Sequence, residues 1–255
     1  MMPTLVLDKD ELLSHIGQFP QNINDLRLDL SEDTQVMTYA VGYQTHYLRV
    51  KKTLSSGIEK AGSIIISDLD KLVAFVKKCK GQVKLKQMSN GKTLYVSCGN
   101  LKMNLPITDC KSTQMLPNFN KLVKNAESDN WRSFGVDNYD VHGVTNLKDF
   151  NSISSLKRLI ANNSDFKITA NADAGEISVA VGKEHDVKIF ATSVLDDSEG
   201  PVHSVYSNFG PWLMPCLGLV SPSPAKVHFG QATGLVVEQE GSNEERLLII
   251  IDQQE

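Results

Sequence analysis

The sequence of 255 residues lacks the features that define several large classes of protein. No apolar run approaches the ~20 residues that a membrane-spanning helix needs, so we expect no membrane partner. Met1–Leu7 contain no basic stretch followed by an apolar core, which argues against a secretory signal peptide. The cysteines show no C-x-x-C spacing and are predicted to be reduced packing residues of a cytosolic protein. They are Cys79, Cys98, Cys110 and Cys216.

Catalytic and metal-binding motifs are also lacking. Gly91-Lys92-Thr93 resembles the end of a phosphate-binding loop, but Lys86 stands where that motif needs a glycine, so we interpret the segment as a hairpin turn. Asp196-Asp197 and Glu199 could in principle bind a hard cation, although a solvated loop is the favoured interpretation. The histidines follow no metal-ligand spacing, which favours structural or surface roles. They are His15, His46, His142, His185, His203 and His228. We therefore expect neither an enzyme nor a bound cofactor or metal ion.

The composition is ordinary for a soluble globular protein, with 41% hydrophobic and 22% charged residues. The length suits two domains of ~100–130 residues. A net charge of −4 argues against a wholesale electrostatic grip on nucleic acid. A local basic face is still compatible with that charge, so the distribution over each helix decides the question.

The chain repeats one pattern of secondary structure. The first copy is clearest at Ser63–Ile107, where a strand tip and a helix at about Ser67–Lys80 precede alternating strands. The second copy is assigned to Tyr139–Val194, with its helix at about Asn146–Asn162. The predicted fold class is α+β, with two similar domains in which helices pack on antiparallel β-sheets. A duplicated unit without catalytic residues indicates a scaffold or binding protein.

Residues 112–132 are predicted to be a polar connector between a domain at 1–111 and a domain at 133–255. A few apolar residues interrupt this otherwise polar and exposed segment, which costs solubility unless they pack or bind something. They include Leu116, Pro117 and Phe119.

Two further helices are predicted. One runs over about Lys9–Phe19 and ends at Pro20. The other is a short, distorted helix at about Ser207–Val220 in a proline-rich stretch, and it is predicted to occupy the position of the first copy's Ser67–Lys80 helix.

The helix at about Ser67–Lys80 separates apolar from basic residues. Ser67 and Asp70 resemble a capping box at its start. At 100° per residue a buried stripe is formed by Leu69, Leu72, Val73, Val76 and Cys79. The opposite side and its flank carry Lys71, Lys77 and Lys78.

The helix predicted in the second copy carries Lys148, Lys157 and Arg158 away from its apolar stripe, and no acid beyond its first turn. Lysines on a solvated helix face are the plain alternative to a binding surface. Two such helices in an acidic protein leave the two interpretations in balance.

This arrangement resembles the DNA sliding clamps, the polymerase processivity factors of the proliferating cell nuclear antigen type and their counterparts in T4-like phages. Ser63–Ile107 is similar to a clamp's second helix with its closing strands, and Ala225–Ile251 is similar to its final strands. The resemblance implies two processivity-fold domains per chain and a closed ring of six such units from three chains, with helices lining the hole. Leu101–Ile107 and Val187–Val194 are predicted edge strands that need partners.

The resemblance also implies functional residues. Double-stranded DNA would pass through the hole without sequence preference, and the DNA-facing residues would be Lys71, Lys77, Lys78, Lys148, Lys157 and Arg158. A partner's short apolar peptide would dock beneath the connector. By position, the partner-binding residues would be Val41, His46, Leu116, Pro117, Phe119, Leu235, Ile250 and Ile251.

The sequence departs from the clamp pattern in two places. The helices at Lys9–Phe19 and Ser207–Val220 contribute few basic residues to the hole. The chain ends in Asp252-Gln253-Gln254-Glu255 instead of the alanine-proline ending that clamps usually have.

The sequence thus favours a non-enzymatic sliding clamp, a homotrimer that tethers the replicative DNA polymerase and is placed on DNA by a clamp loader. It would work in the host cytoplasm if phage-encoded and in the nucleus if eukaryotic. The alternative is a ring-forming structural assembly protein, such as a virion or tail component. Basic helix faces directed into one channel favour the clamp, whereas lysines dispersed over the exterior favour the assembly protein.

Overall fold

The computed structural model describes residues 2–17, 19, 23–43, 45–108, 110–128, 139–150, 153, 165–181, 189–220 and 223–252. The chain divides into two compact units. Unit 1 contains Met1–Gln44, Leu48–Asn118 and Gly241–Glu245. Unit 2 contains Thr45–Tyr47, Phe119–Glu240 and Arg246–Glu255.

The elements of unit 1 begin at the N-terminal strand. In chain order they are β1 (Thr4–Asp8), α1 (Lys9–Ile16), β2 (Leu26–Ser31), β3 (Val36–Gly42), β4 (His46–Thr53), β5 (Ile58–Lys60), β6 (Gly62–Ile66), α2 (Leu69–Lys78), β7 (Gln82–Gln87), β8 (Thr93–Cys98), β9 (Leu101–Pro106) and α3 (Lys111–Met115). The first two residues of β4 belong to unit 2.

Unit 1 packs its helices on antiparallel strands, as the sequence predicts. One sheet has the order β5-β1-β7-β8-β9, and a second set of strands has the order β6-β2-β3-β4. In β7 and β8 every second residue is buried, because alternate side chains of a strand point to the same face. Helix α1 packs on α2 and on β1 and β7. The shared core includes Leu5, Leu12, Leu72, Val76, Leu85 and Val96.

The elements of unit 2 begin with the helix that follows a 3-10 turn at Leu116–Phe119. They are α4 (Asn120–Glu127), β10 (Val141–Thr145), a 3-10 turn (Leu147–Phe150), β11 (Phe166–Asn171), β12 (Glu176–Val181), β13 (Ile189–Glu199), β14 (Val205–Phe209), α5 (Leu213–Leu217), β15 (Ala225–Gly230), β16 (Gly234–Glu240) and β17 (Glu244–Ile251). The first two residues of β17 belong to unit 1.

The two units repeat the same strand pairing. β1 lies between β5 and β7, and β10 lies between β13 and β15. β2 lies between β3 and β6, and β11 lies between β12 and β14. The prediction that α5 occupies the place of α2 is confirmed, because α5 follows β14 as α2 follows β6.

The predicted match between Tyr139–Val194 and Ser63–Ile107 was wrong. β10 corresponds to β1, so the second copy starts where the chain starts, and Ser63–Ile107 corresponds to the later strands of unit 2. The sequence misleads here because unit 1 contains a helix followed by short alternating strands twice, at α1 and at α2, and local patterning does not record which strands pair.

Three predicted segments differ from the structure in detail. Helix α1 stops at Ile16, three residues before the predicted Phe19, because Gly17 caps it through a hydrogen bond to the Leu13 carbonyl. Helix α5 begins at Leu213, since Ser207–Phe209 belong to β14 and pair with β11. The described part of the predicted connector, residues 112–128, is helical as far as residue 127.

Candidate functional site

Helix α2 presents the basic face that the sequence predicts. Leu69, Leu72 and Val76 are buried, while the other side of the helix is exposed. That exposed side holds Lys71, Ala74, Lys77 and Lys78. The 3.6-residue period of the helix produces this separation, so it follows directly from the sequence.

The start of α2 is capped one residue later than predicted. Asp68, not Ser67, is the N-cap, and its carboxylate accepts the backbone N–H of Lys71 at 3.0 Å. The Ser67 hydroxyl donates instead to the carbonyl of Pro106. The Lys71 ammonium lies 2.6 Å from Asp68 Oδ2. Burial alone would raise the pKa of Asp68, but hydrogen bonds from Lys71 outweigh it and hold that pKa below its ordinary value.

Helices α1 and α5 carry little positive charge, in agreement with the first departure noted in the sequence. The first turn of α1 holds Asp10 and Glu11, and its buried side holds Leu12, His15 and Ile16. Helix α5 has no charged residue and buries most of its side chains. Among α1, α2 and α5, the basic residues therefore lie mainly on α2.

The side chains of the basic residues predicted in the second copy lie outside what the structure describes. Lys157 and Arg158 lie outside the described residues. Lys148 belongs to the 3-10 turn Leu147–Phe150, but its side chain lies outside what the structure describes.

In unit 1 the predicted partner-binding residues lie at the end of β3 and the start of the connector. Val41 is buried in β3, Leu116 is half-buried, and Pro117 is exposed. Leu116 packs against Gly42 so closely that a Cβ added to Gly42 would lie 3.3 Å from Leu116 Cδ2. Of the three, Leu116 and Pro117 are therefore the residues that a partner can reach.

The sequence did not indicate how the connector is anchored. Asp25 Oδ2 accepts the backbone N–H of Ser112 at 2.9 Å and that of Thr113 at 3.4 Å. The Ser112 hydroxyl donates back to the Asp25 carbonyl. Asp25 therefore caps α3 from 87 residues away along the chain. Burial and the charge of Asp25 raise the pKa of the nearby Tyr43 to about 12.

In unit 2 most of the predicted partner-binding residues are buried. Phe119 is only 1% exposed and stacks on Tyr47, so the prediction that it lies exposed was wrong. His46, Leu235 and Ile250 are also buried, whereas Ile251 is half-buried. Burial lowers the pKa of His46 to about 4, so its imidazole is neutral at physiological pH.

The end of β17 is held by backbone and side-chain hydrogen bonds. Ile251 N–H donates to the Thr45 carbonyl, and Asp252 N–H donates to the Thr233 carbonyl. A carboxylate oxygen of Asp252 accepts the backbone N–H of Asn208. Burial raises the pKa of Asp252 above its ordinary value even though that hydrogen bond opposes the shift. Asp252 thus ties β17 to β14.

Two strand edges are open in the part of the chain that the structure describes. β9 pairs with β8 on one side, and its other side has no ladder within that part. Ile189–Val194, the first half of β13, pairs with β12, while its second half pairs with β10. Phe190 and Val194 are 71% and 63% exposed on this open segment. Both predicted edge strands are therefore confirmed, with Ile189–Val194 as the described part of the second.

The described residues contain neither a candidate metal site nor a candidate membrane-spanning helix. No group of three or more histidine, cysteine or acidic side chains there is arranged to hold a metal ion. No helix in the described ranges has both the length and the apolar character to cross a membrane.

Comparison with known proteins identifies the fold. No family model and no curated protein matches the sequence. Among solved structures, A. fulgidus PCNA with the C-terminal region of FEN-1 bound matches at a TM-score of 0.63 and 13% identity, over 99% of each chain. The chain has the sliding-clamp fold.

Bacterial sliding clamps match as well. The DNA polymerase sliding clamp from Bacillus subtilis gives a TM-score of 0.72 at 14% identity, covering 99% of this chain and 64% of that chain. The Helicobacter pylori beta clamp bound to a DNA ligase peptide gives 0.67 at 12% identity, covering 99% and 67%. Identities this low show the sliding-clamp fold and no closer relationship.

Proposed function

We propose that this protein is a DNA sliding clamp, a non-enzymatic ring that encircles duplex DNA and tethers a replicative DNA polymerase. The observation that carries the proposal is the match of 99% of the chain to sliding clamps from archaea and bacteria. The clamp domains are 1–111 and 133–255, joined by the connector at 112–132.

The ring is a homotrimer in this proposal. Two repeating units per chain require three chains for a ring of six units. The β9 edge and the Ile189–Val194 edge are different surfaces of one chain, so pairing them gives a head-to-tail interface that closes when the rotation is one third of a turn. Pairing at this interface would bury the exposed side chains of Phe190 and Val194, and an exposed apolar strand edge readily pairs with another strand.

The DNA-facing surface is built on α2, with Lys71, Lys77 and Lys78. Lys148, Lys157 and Arg158 are assigned to the same surface by the repeat. A few lysines suffice, because each neutralised phosphate adds affinity and salt dependence, whereas a mobile ring needs weak contacts that ignore sequence. The net charge of −4 is compatible with such a localised basic surface.

A short peptide is the proposed partner element. The A. fulgidus neighbour holds the C-terminal region of FEN-1, and the Helicobacter pylori neighbour holds a DNA ligase peptide. The accessible residues of the predicted set are Leu116 and Pro117 in unit 1, and separately Ile251 in unit 2. The other predicted residues are buried in their own units, Val41 in unit 1 and His46, Phe119, Leu235 and Ile250 in unit 2. The polymerase and the clamp loader are the expected sources of the peptide.

Two measurements on the purified chain test the proposal. Light scattering should give three times the chain mass of 28.1 kDa at tens of micromolar. Primer extension on a singly primed circle by the cognate polymerase and loader should give longer products when the protein is added. A stable trimer without any effect on product length would favour the structural assembly protein. A strict monomer that leaves synthesis unchanged would reject both.

A further inference from the structure

An excess of positive charge runs through the middle of unit 1. Residues 71–108 contain eight lysines and no aspartate or glutamate, although the whole chain has a net charge of −4. Three of these lysines belong to α2 and have been assigned to its basic side. The other five follow the helix, and they are Lys80, Lys84, Lys86, Lys92 and Lys102. The basic side of α2 therefore accounts for only part of this charge.

Strand alternation places three of the five on one face of the sheet β5-β1-β7-β8-β9. Val83 and Leu85 of β7 are fully buried on the side of the sheet where α1 packs. Lys84 and Lys86 alternate with them, so they point to the opposite side. Lys102 of β9 is exposed on that same side, because it is in register with the strand residues that lie there.

Tyr95 of β8 lies in the centre of these lysines. Lys84, Ser97 and Lys102 are register partners on β7, β8 and β9, and Lys86 pairs with Tyr95 in the next row. Directly opposite residues of such a ladder are about 5 Å apart and diagonal ones about 7–8 Å apart. Tyr95 is therefore directly opposite Lys86 and diagonal to both Lys84 and Lys102.

Two of the three lysines have no acidic partner. The Lys84 ammonium lies 2.7 Å from Glu59 Oε2. Within the part of the chain that the structure describes, no carboxylate lies within ion-pair distance of Lys86 or Lys102. Asp8, at the end of β1, caps α1 instead. Since β7, β8 and β9 contain no acidic residue, this face attracts anions.

Tyr95 indicates which kind of anion suits the face. Its side chain is partly exposed among the lysines. Proteins bind single-stranded nucleic acid with this combination, because bases stack on the aromatic ring while phosphates contact the positive charges. The bases of a duplex are already stacked on one another and offer only their backbone to a flat surface. An acidic peptide would use the lysines and leave the ring without a role.

We propose that the β7–β9 face, formed by Lys84, Lys86, Tyr95 and Lys102, binds single-stranded nucleic acid without sequence preference. The lysines contact phosphates and Tyr95 stacks on a base, so affinity depends on salt and little on sequence. This face is separate from the basic side of α2, because α1, which contacts α2, packs on the opposite side of the sheet. The inference goes beyond the proposed clamp function and does not depend on the ring, since all four residues belong to unit 1.

Fluorescence anisotropy of a labelled oligothymidine titrated with the full chain tests the role of the lysines. For the wild type, the logarithm of the association constant should fall with the logarithm of the salt concentration with a slope of about −2, because each of three phosphate contacts contributes about −0.7. Lys86→Gln with Lys102→Gln should reduce that slope by about 1.4. Lys111→Gln with Lys124→Gln removes the same charge from exposed residues away from this face and should bind as the wild type does.

Two variants of Tyr95 test the stacking. Tyr95→Leu should weaken oligothymidine binding about 5- to 150-fold, the range expected for the loss of one base stack. Tyr95→Phe keeps the ring and should bind as the wild type does. The lysine variants change only surface charge, so their result stands even if Tyr95→Leu does not fold.

Three results would overturn the proposal. The first is a wild-type salt slope close to zero, and the second is equal binding by Tyr95→Leu and Tyr95→Phe. The third is a polyglutamate peptide that binds as tightly as oligothymidine and is unaffected by Tyr95→Leu, which would assign the β7–β9 face to acidic protein segments.

Discussion

Phe119 stacks on Tyr47, with ring centroids 5.2 Å apart and ring planes inclined by 27°. This contact joins residues 72 positions apart within unit 2, and both rings are buried. Phe119→Ala should lower the free energy of unfolding by about 3–5 kcal/mol, because it leaves a cavity and removes the stack. Phe119→Leu, which keeps most of the volume, should cost clearly less. Urea unfolding measures both, and Pro117→Ala on the exposed surface should stay close to wild type.

The accessible residues of the connector and the C-terminal strand should carry peptide binding. Pro117→Ser and Ile251→Ala, made separately, should each weaken binding of the cognate polymerase's terminal peptide by roughly 1–3 kcal/mol if they are anchors. Ile250→Ala is the wrong variant for this test, since Ile250 is buried and its truncation should cost about 2–5 kcal/mol of stability. Val202→Ala, at an exposed apolar residue of unit 2, is the matched control. Unchanged titrations for both variants would place the peptide elsewhere.

The exposed lysines at the end of α2 should contribute to DNA retention. Lys77→Gln with Lys78→Gln should shorten primer-extension products and reduce the salt dependence of DNA binding by about 0.9 for each phosphate that is no longer neutralised. Lys71 should contribute less, because its ammonium already contacts Asp68 at 2.6 Å. Lys92→Gln with Lys111→Gln removes the same charge from exposed residues of unit 1 outside α2. An equal loss in that control would show that total charge, not the α2 face, matters.

His46 should make the free energy of unfolding fall in acid. Its pKa is lowered to about 4 by burial, against about 6.5 in an unfolded chain. A lowered pKa means that the stabilisation is fully present above pH 6.5 and is lost as the pH falls towards 4. His46→Gln should remove an acid destabilisation of roughly 3 kcal/mol between pH 7 and pH 4. Urea midpoints at the two pH values measure this effect. An equal drop in midpoint from pH 7 to pH 4 in wild type and variant would contradict the buried neutral imidazole.

The Asp25 carboxylate should stabilise the start of the connector. Asp25→Ala leaves the N–H groups of Ser112 and Thr113 without their acceptor, and the loss of a cap typically costs about 0.5–2 kcal/mol. Asp25→Asn keeps an oxygen in place and should cost less. Hydrogen exchange at Ser112 should accelerate in Asp25→Ala. Unchanged exchange there would mean that α3 does not depend on this cap.

Local sequence determined the elements whose signals are short in range. The amphipathic period of α2 predicted its buried and basic faces, and alternation predicted the strands that became β9 and the first half of β13. The repetition, the polar connector, the basic helix faces and the C-terminal strand together indicated the resemblance to sliding clamps. These predictions succeed because a helix face or a strand face is decided by residues at most a few positions apart.

Tertiary structure alone decided what depends on distant partners. The Ser67 hydroxyl donates to Pro106, so Asp68 became the cap of α2. Phe119 stacks on Tyr47 and is buried, and the Asp25 carboxylate caps the start of α3. The order of the strands likewise shows which segments of the two units correspond. Local sequence patterns indicate none of these contacts. The free energy of burial and hydrogen bonding depends on which residues are close in space, and these residues are far apart along the chain.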